Sequence, residues 1–149
     1  VMQNLKDATV VVKSAAVADY RPADFSDSKI KKTDRPLEFR LEKNPDIIRE
    51  VGKVKGDRIL VGFAVETDRL VEYAAKKLRE KNMDFIVAND ITQPGAGFAA
   101  ETNIVKILDR EGGSEDLPRM DKMDVAHRIL DRVAELIGSR KGAARARRG

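Results

Sequence analysis

At 149 residues the chain is the size of one domain, long enough to bury a hydrophobic core. It has no cysteine, which excludes disulfides, thiol nucleophiles and cysteine-ligated zinc, and its net charge of +4 comes from one end: Arg140, Lys141, Arg145, Arg147 and Arg148 close the chain, and without them 24 basic residues face 25 acidic ones. A body so balanced carries no basic stripe for nucleic acid, no apolar run reaches the ~20 residues that span a bilayer, and the first residues lack a signal-peptide pattern, so a reducing cytoplasm is expected.

The run "ATVVVKSAAVAD" begins as a β-branched segment of the kind buried in a parallel sheet, predicting a strand at about 8 to 14, then turns to small residues and Asp19. "RPLEFRLEKN" alternates strictly, with Leu37, Phe39 and Leu41 on one face, which predicts a half-exposed strand over 37–42. In "NPDIIREVGKVK", Asn44 is the expected N-cap and Pro45 the first helical residue of a helix running to about 54. "RILVGFAVET" reads as a second buried strand. "TDRLVEYAAKKLREKNM" reads as an amphipathic helix capped by Thr67, with Val71, Ala74, Ala75 and Leu78 inward. "DFIVAND" is a third buried strand leading into the loop "TQPGAGF", and "TNIVKILDRE" a fourth, stopped at Gly112 and Gly113. "KMDVAHRILDRVAELIG" closes the domain as a helix with Ala126, Ile129, Leu130, Val133, Leu136 and Ile137 inward and Gly138 as its stop. The alternation predicts an α/β, Rossmann-like sheet, mostly parallel with an antiparallel element and with helices on both faces.

Ligands of such sheets sit beyond the carboxyl ends of the strands, where "SAAVADYRP", "FAVET" and "ANDITQPGAGF" should converge. Lys29, Lys31 and Lys32 in "SDSKIKKTD" make either a solvated turn or a clamp for an anion; mutual repulsion in water at about 4 Å costs only about 1 kcal/mol per pair, so both stay open. Lys77 and Lys81 repel at i and i+4, with Glu80 and Asp84 placed to offset them, and read equally as an exposed charged face. Asp19 follows residues small enough for a ligand to reach the backbone, or simply enters a turn. "NPDII" is a helix start and, by its free amides, a candidate anion site. His127, the single histidine, reads as a surface residue, which removes histidine acid–base chemistry and His-metal sites; GxGxxG and GxxxxGK[ST] are absent. What is left suits binding phosphates better than relaying protons.

Together "AAVADYRP", "KIKK", "KNPDI", "VGFAVET", "KNMDFIVAND" and "QPGAGF", in this order, closely resemble the bacterial, CTP-dependent phosphopantothenate–cysteine ligase family. The resemblance implies a ligase of coenzyme A biosynthesis that joins 4'-phosphopantothenate to cysteine through an acyl-cytidylate, with Mg²⁺ arriving on CTP. It implies small-molecule substrates, a homodimer, and FMN only where a decarboxylase half precedes the domain. By motif, Lys29 resembles the catalytic lysine at the phosphates. Asp19 resembles a nucleotide contact, Pro45, Asp46, Ile47 and Ile48 the segment along the nucleotide, Phe63 the residue beside the base, and Lys77 and Lys81 the nucleotide-binding lysines. No dedicated metal ligands are implied, and the residues for the other substrates stay unassigned. Family members begin with a strand and an Asn-Ser-Ser-Gly type loop that this sequence lacks. The expected organisation is therefore an N-terminally truncated ligase domain over 1–138, whose activity alone, without that loop, is left open, and a disordered basic tail over 139–149. The rival readings are a noncatalytic nucleotide-binding module with the same pocket, and polyanion binding by the tail.

Overall fold

The computed structural model of the chain describes residues 1–31, 36–66, 69–90, 92 and 100–146. Lys32, Thr67, most of the 92–98 loop and residues 147–149 lie outside them. After a 3-10 turn at Met2–Asp7, the strands are β1 (Val10–Lys13), β2 (Tyr20–Pro22), β3 (Leu41–Lys43), β4 (Ile59–Glu66), β5 (Phe85–Asp90), β6 (Thr102–Asp109) and β7 (Ser114–Asp121). The helices are α1 (Ile47–Lys53), α2 (Leu70–Glu80) and α3 (Lys122–Ala146). Five strands form one sheet in the order β1-β4-β5-β6-β7, with β1, β4 and β5 parallel and β6 antiparallel to both β5 and β7. This is the expected Rossmann-like sheet, mostly parallel in strand direction, with β6 running against its neighbours.

The central strands β4 and β5 are buried on both faces, because successive side chains point to opposite sides and each side meets helices. Leu60, Ala64, Ile86 and Ala88 pack with Ile48 and Val51 of α1 and Ala74 and Leu78 of α2. On the other face Ile59, Val61, Phe85 and Val87 pack with Val125, Ile129 and Val133 of α3. Full burial of such a side chain contributes about 1.5–3 kcal/mol. The inward face of α2 is the i, i+4 line through Leu70, Ala74 and Leu78, so Val71, expected inward, is exposed. On α3 the buried line runs through Val125, Ile129 and Val133; Leu130 and Ala126, expected inward, stand outside it because the helix is turned by about one residue from the expected face.

Several boundaries differ for local reasons. Asp46, rather than Asn44, is the N-cap of α1 and accepts from the Arg49 backbone N–H at 3.2 Å. Pro45 biases the residue before it away from helical geometry, and the freed Asn44 side chain donates instead to the Ala18 carbonyl at 2.8 Å. Residues 37–40 are not in a strand; only Leu41–Lys43 pairs, antiparallel with Tyr20–Pro22, in a separate two-stranded ribbon on which Leu37, Phe39 and Leu41 are exposed. β7 has no counterpart in the sequence expectations, since "SEDLPRMD" is charged and holds Pro118. Proline is tolerated there because β7 is an edge strand, and the ladder slips between Asn103 and Val105. Finally, α3 runs through Gly138 to Ala146, so residues 139–146, expected to be disordered, are helical; Arg140 anchors them, donating to the Asp57 carbonyl at 2.8 Å and to Asp84 at 2.5 Å.

Asp84 opens β5 with its side chain buried. Its Oδ2 accepts from the Leu60 N–H and from Lys55 Nζ, both at 2.7 Å, and its Oδ1 accepts from Arg140. Burial pushes the Lys55 ammonium below its ordinary value, and the Asp84 carboxylate opposes that shift. Removing one partner of a buried ion pair strands the other charge, so Asp84→Asn should destabilise the protein by about 3–5 kcal/mol in urea unfolding. Arg140→Ala should cost less, because it leaves the buried Lys55–Asp84 pair in place. Equal losses would mean that the helix end, not the pair, carries the stability.

Candidate active site

β1 ends at Lys13, and the chain passes through Ser14, Ala15, Ala16, Val17 and Ala18 to Asp19 at the carboxyl edge of the sheet. Asn44 holds this small-residue loop from two sides: its backbone N–H donates to the Asp19 carbonyl and its side chain to that of Ala18, each at 2.8 Å. The loop is thereby fixed against the start of α1.

The positions of α1 and α2 are set by a close contact. α2 ends in a Schellman turn: the Met83 N–H donates to the Leu78 carbonyl and that of Asn82 to the Arg79 carbonyl, with Asn82 at φ 53° in the left-handed region. Asn82 then donates to the Gly52 carbonyl at 2.9 Å. A Cβ on Gly52 would sit on the Lys81 carbonyl, so glycine is what lets the helix ends meet. The approach brings Lys81 Nζ to 2.9 Å from Asp46 Oδ2. Burial acts to raise the Asp46 carboxyl, but the bonds from Lys81 and the Arg49 amide outweigh it and hold the group below its ordinary 3.8. The partner of Lys81 is thus Asp46 of α1 and not Glu80 or Asp84. Glu80 faces Lys76 and Arg49, and Asp84 is committed to Lys55 and Arg140.

Two adjoining cavities lie over the carboxyl edge of the sheet. The smaller, about 110 Å³, is lined by Asp19, Pro45, Asp46, Ile47, Ile48, Phe63, Lys77 and Lys81, together with Lys13, Val17, Ala18 and Asn44. Every nucleotide-site residue nominated from sequence except Lys29 is therefore gathered there. Lys29 stands in the exposed loop after β2, outside the lining of either cavity. The larger cavity, about 620 Å³, shares Lys13, Val17, Asp19, Phe63 and Lys77 with the first and extends toward the start of α3, past Asn89, Asn103, Lys122 and Ala126. Asn89 and Asn103 were not nominated from sequence, nor were Lys13 and Lys122. Asn89 had a local signal, a polar residue ending the buried strand "DFIVAND". Asn103 and Lys122 had none, because they reach the site only through the antiparallel turn-back of β6 and the placement of α3. His127 is exposed.

Residues 1–137 match the family described as the DNA/pantothenate metabolism flavoprotein C-terminal domain. The coenzyme A biosynthesis bifunctional protein CoaBC of Bacillus subtilis is 48% identical over 127 residues, 85% of this chain and 31% of that protein. A cysteine/cysteine sulfinic acid decarboxylase of an unknown prokaryotic organism is 36% identical over 137 residues, 91% of this chain and 38% of that protein. The crystal structure of the C-terminal domain of a coenzyme A biosynthesis bifunctional protein CoaBC superposes with a TM-score of 0.73 at 40% identity, covering 93% of this chain and 61% of that one. The chain spans about a third of the length of these two curated relatives.

The Asp46–Lys81 pair has a signed pH consequence. A carboxyl held below 3.8 contributes stability that is complete above that value and is lost as pH falls through the lower folded value. In Lys81→Ala, carboxyl NMR should show the Asp46 pKa moving up toward or past 3.8, because burial is then opposed by Arg49 alone, and the acid slope of stability should flatten. An unmoved Asp46 would show that the pair does not persist in solution.

Proposed function

The chain belongs to the DNA/pantothenate metabolism flavoprotein C-terminal domain family, and from that premise we propose that it is the main part of a phosphopantothenate–cysteine ligase acting in coenzyme A biosynthesis. The carboxylate of 4'-phosphopantothenate attacks the α-phosphorus of CTP, pyrophosphate leaves, and the cysteine amine then displaces CMP from the acyl-cytidylate. The observation that carries the reading is the convergence of Asp19, Pro45 to Ile48, Phe63, Lys77 and Lys81, from four separate segments, on one cavity at the carboxyl edge of the sheet. That is the crevice in which open α/β sheets bind nucleotides.

The roles follow from the chemistry at hand. Phe63 offers an apolar surface to the base, and Lys77 and Lys81 meet phosphate charge. An incoming triphosphate competes with Asp46 for Lys81, so the ammonium is held in position before the nucleotide arrives. Lys29, at the head of "KIKK", is assigned to the α-phosphate on the resemblance of that motif. Magnesium would be carried in by the phosphates, and the carboxylates of Asp19 and Asp46, which line the smaller cavity, are oxygen donors of the kind it takes. Bound there, the ion would neutralise charge on the leaving pyrophosphate. The exposed apolar residues Tyr20, Leu37, Phe39 and Leu41 on and beside the β2–β3 ribbon support a homodimer through that face. No helix among the described residues is long and apolar enough to cross a membrane.

Two experiments test this. With the full-length protein, pyrophosphate release should require both CTP and 4'-phosphopantothenate, ATP should not replace CTP, and Lys29→Ala should slow release by about 10²–10³, the cost of removing one positioned electrostatic group. Release with ATP alone, or an unaffected Lys29→Ala, would sink the assignment or the role of the lysine. Light scattering should give a dimer mass that Phe39→Asp shifts to the monomer; a monomeric wild type removes the dimer.

A further inference from the structure

The basic end of the chain has no part in the ligase reading. Arg140 and Lys141 open it, and α3 carries them to the amino edge of the sheet, the pole opposite the cleft. A cavity of about 720 Å³ lies there and shares no lining residue with either lobe of the cleft. Its walls come from separate stretches of chain: Lys55 and Asp57 from the turn before β4, Asn82 from the turn before β5, Arg110 from the end of β6, and Arg140 and Lys141 from α3. Arg110 reaches that edge because β6 runs against β5.

Four cations thus meet two carboxylates, Asp57 in the lining and Asp84 beneath it, and Asp84 is already shared by Lys55 and Arg140. Arg110 binds the Asn82 amide oxygen at 2.5 Å, and neither it nor Lys141 forms an ion pair among the described residues. Lys55 and Asp84 are buried, where salt screens a charge far less than at the surface. Burial is the largest cause that lowers the Lys55 ammonium; Asp84 opposes it, and Arg110 and Arg140 add to it by their like charge. Cations crowded in this way repel one another, and an anion between them relieves the repulsion.

The surroundings narrow the ligand. No aromatic or large apolar side chain in the lining offers a surface to a base or an acyl chain. The next cavity along, about 380 Å³, shares Arg110 and Arg140 but turns acidic with Asp109, Glu111 and Glu135, which interrupts the basic stripe that a nucleic-acid strand would follow. A compact anion fits, and the excess of two cations over carboxylates matches the roughly −1.5 to −2 charge of a phosphate group at neutral pH.

We infer that this cavity at the amino edge of the sheet is a second anion site, which takes a phosphate group, free or as a small monoester, on Arg110 and Lys141 with Lys55 and Arg140 behind them. The site is separate from the cleft, and the inference does not depend on the ligase reading.

The test is calorimetric titration of inorganic phosphate, with glycerol phosphate in parallel, into the full-length protein at constant ionic strength. The nucleotide lobe also presents cations to phosphates, so the titrations are made in a Lys77→Ala, Lys81→Ala background that weakens that lobe. Phosphate should still bind, and adding Arg110→Glu should weaken it about tenfold or more, as loss of a charged hydrogen bond implies. Lys141→Glu, on the exposed end of α3, should act in the same direction and serves where the Arg110 change does not fold. Similar affinities for the two probes support a site for the bare phosphate group, and a preference for glycerol phosphate supports an ester as its ligand. No binding in the Lys77, Lys81 background would overturn the inference, because the anion would then belong to the cleft. So would binding unchanged by both charge reversals, and so would a short RNA that binds more tightly than either probe and loses that binding with the same reversals.

Discussion

The buried carboxylate of Asp84 is the joint on which the domain is assembled. It stands at the first turn into β5, and its backbone N–H donates to the Leu60 carbonyl at 2.8 Å while its side chain accepts from the Leu60 N–H, so two contacts lock β5 to β4 in one register. Its remaining acceptor capacity takes Lys55 from the turn before β4 and Arg140 from α3. A one-residue slip of either strand would turn every core side chain to the wrong face, and the buried charge would lose its partners. Hydrophobic burial supplies most of the driving force here, and the carboxylate adds its own penalty to any register but this one.

Fixing the amino ends of β4 and β5 also fixes their carboxyl ends, about a strand length away, where Phe63 and Asn89 open onto the cleft. The helices are set by a different device. Gly52 lets α1 meet the end of α2, the Schellman turn at Asn82 gives α2 a defined stop, and Met83 tucks beneath Gly62, where any Cβ would collide with its sulfur. The outcome is a short Asp46–Lys81 pair at the mouth of the cleft. Two glycines and one left-handed asparagine, none of them lining the cleft, thus determine where the lysines stand.

The cleft that results has two lobes with different chemistry. The lobe beside α1 and α2 holds lysines and a carboxylate near an aromatic ring, which suits a base carrying phosphates. The lobe beside α3 is larger and holds amides and apolar surface. Lys13, Val17, Asp19, Phe63 and Lys77 line both lobes, so the two adjoin along the carboxyl edge of the sheet.

The sequence by itself determined the elements whose residues carry their own period or punctuation. The β-branched runs of β1, β4 and β5, the proline and aspartate at the start of α1, and the 3.6-residue pattern of α2 and α3 are local signals. The motifs that carry the resemblance, each contiguous in the chain, named the residues from Asp19 to Lys81 that line the smaller cavity. Local signals did not give β7, whose charges and proline are tolerated only at a sheet edge, nor the helical course of 139–146, where Arg140 finds a buried carboxylate that lies 56 residues earlier in the chain. Only the tertiary structure decided that Lys81 pairs with Asp46 and that Oδ1 of Asn89 has no partner among the described residues. Pairing and orphaning depend on which segments lie within 3 Å of one another, and that distance is set by packing across the sheet rather than by spacing along the chain.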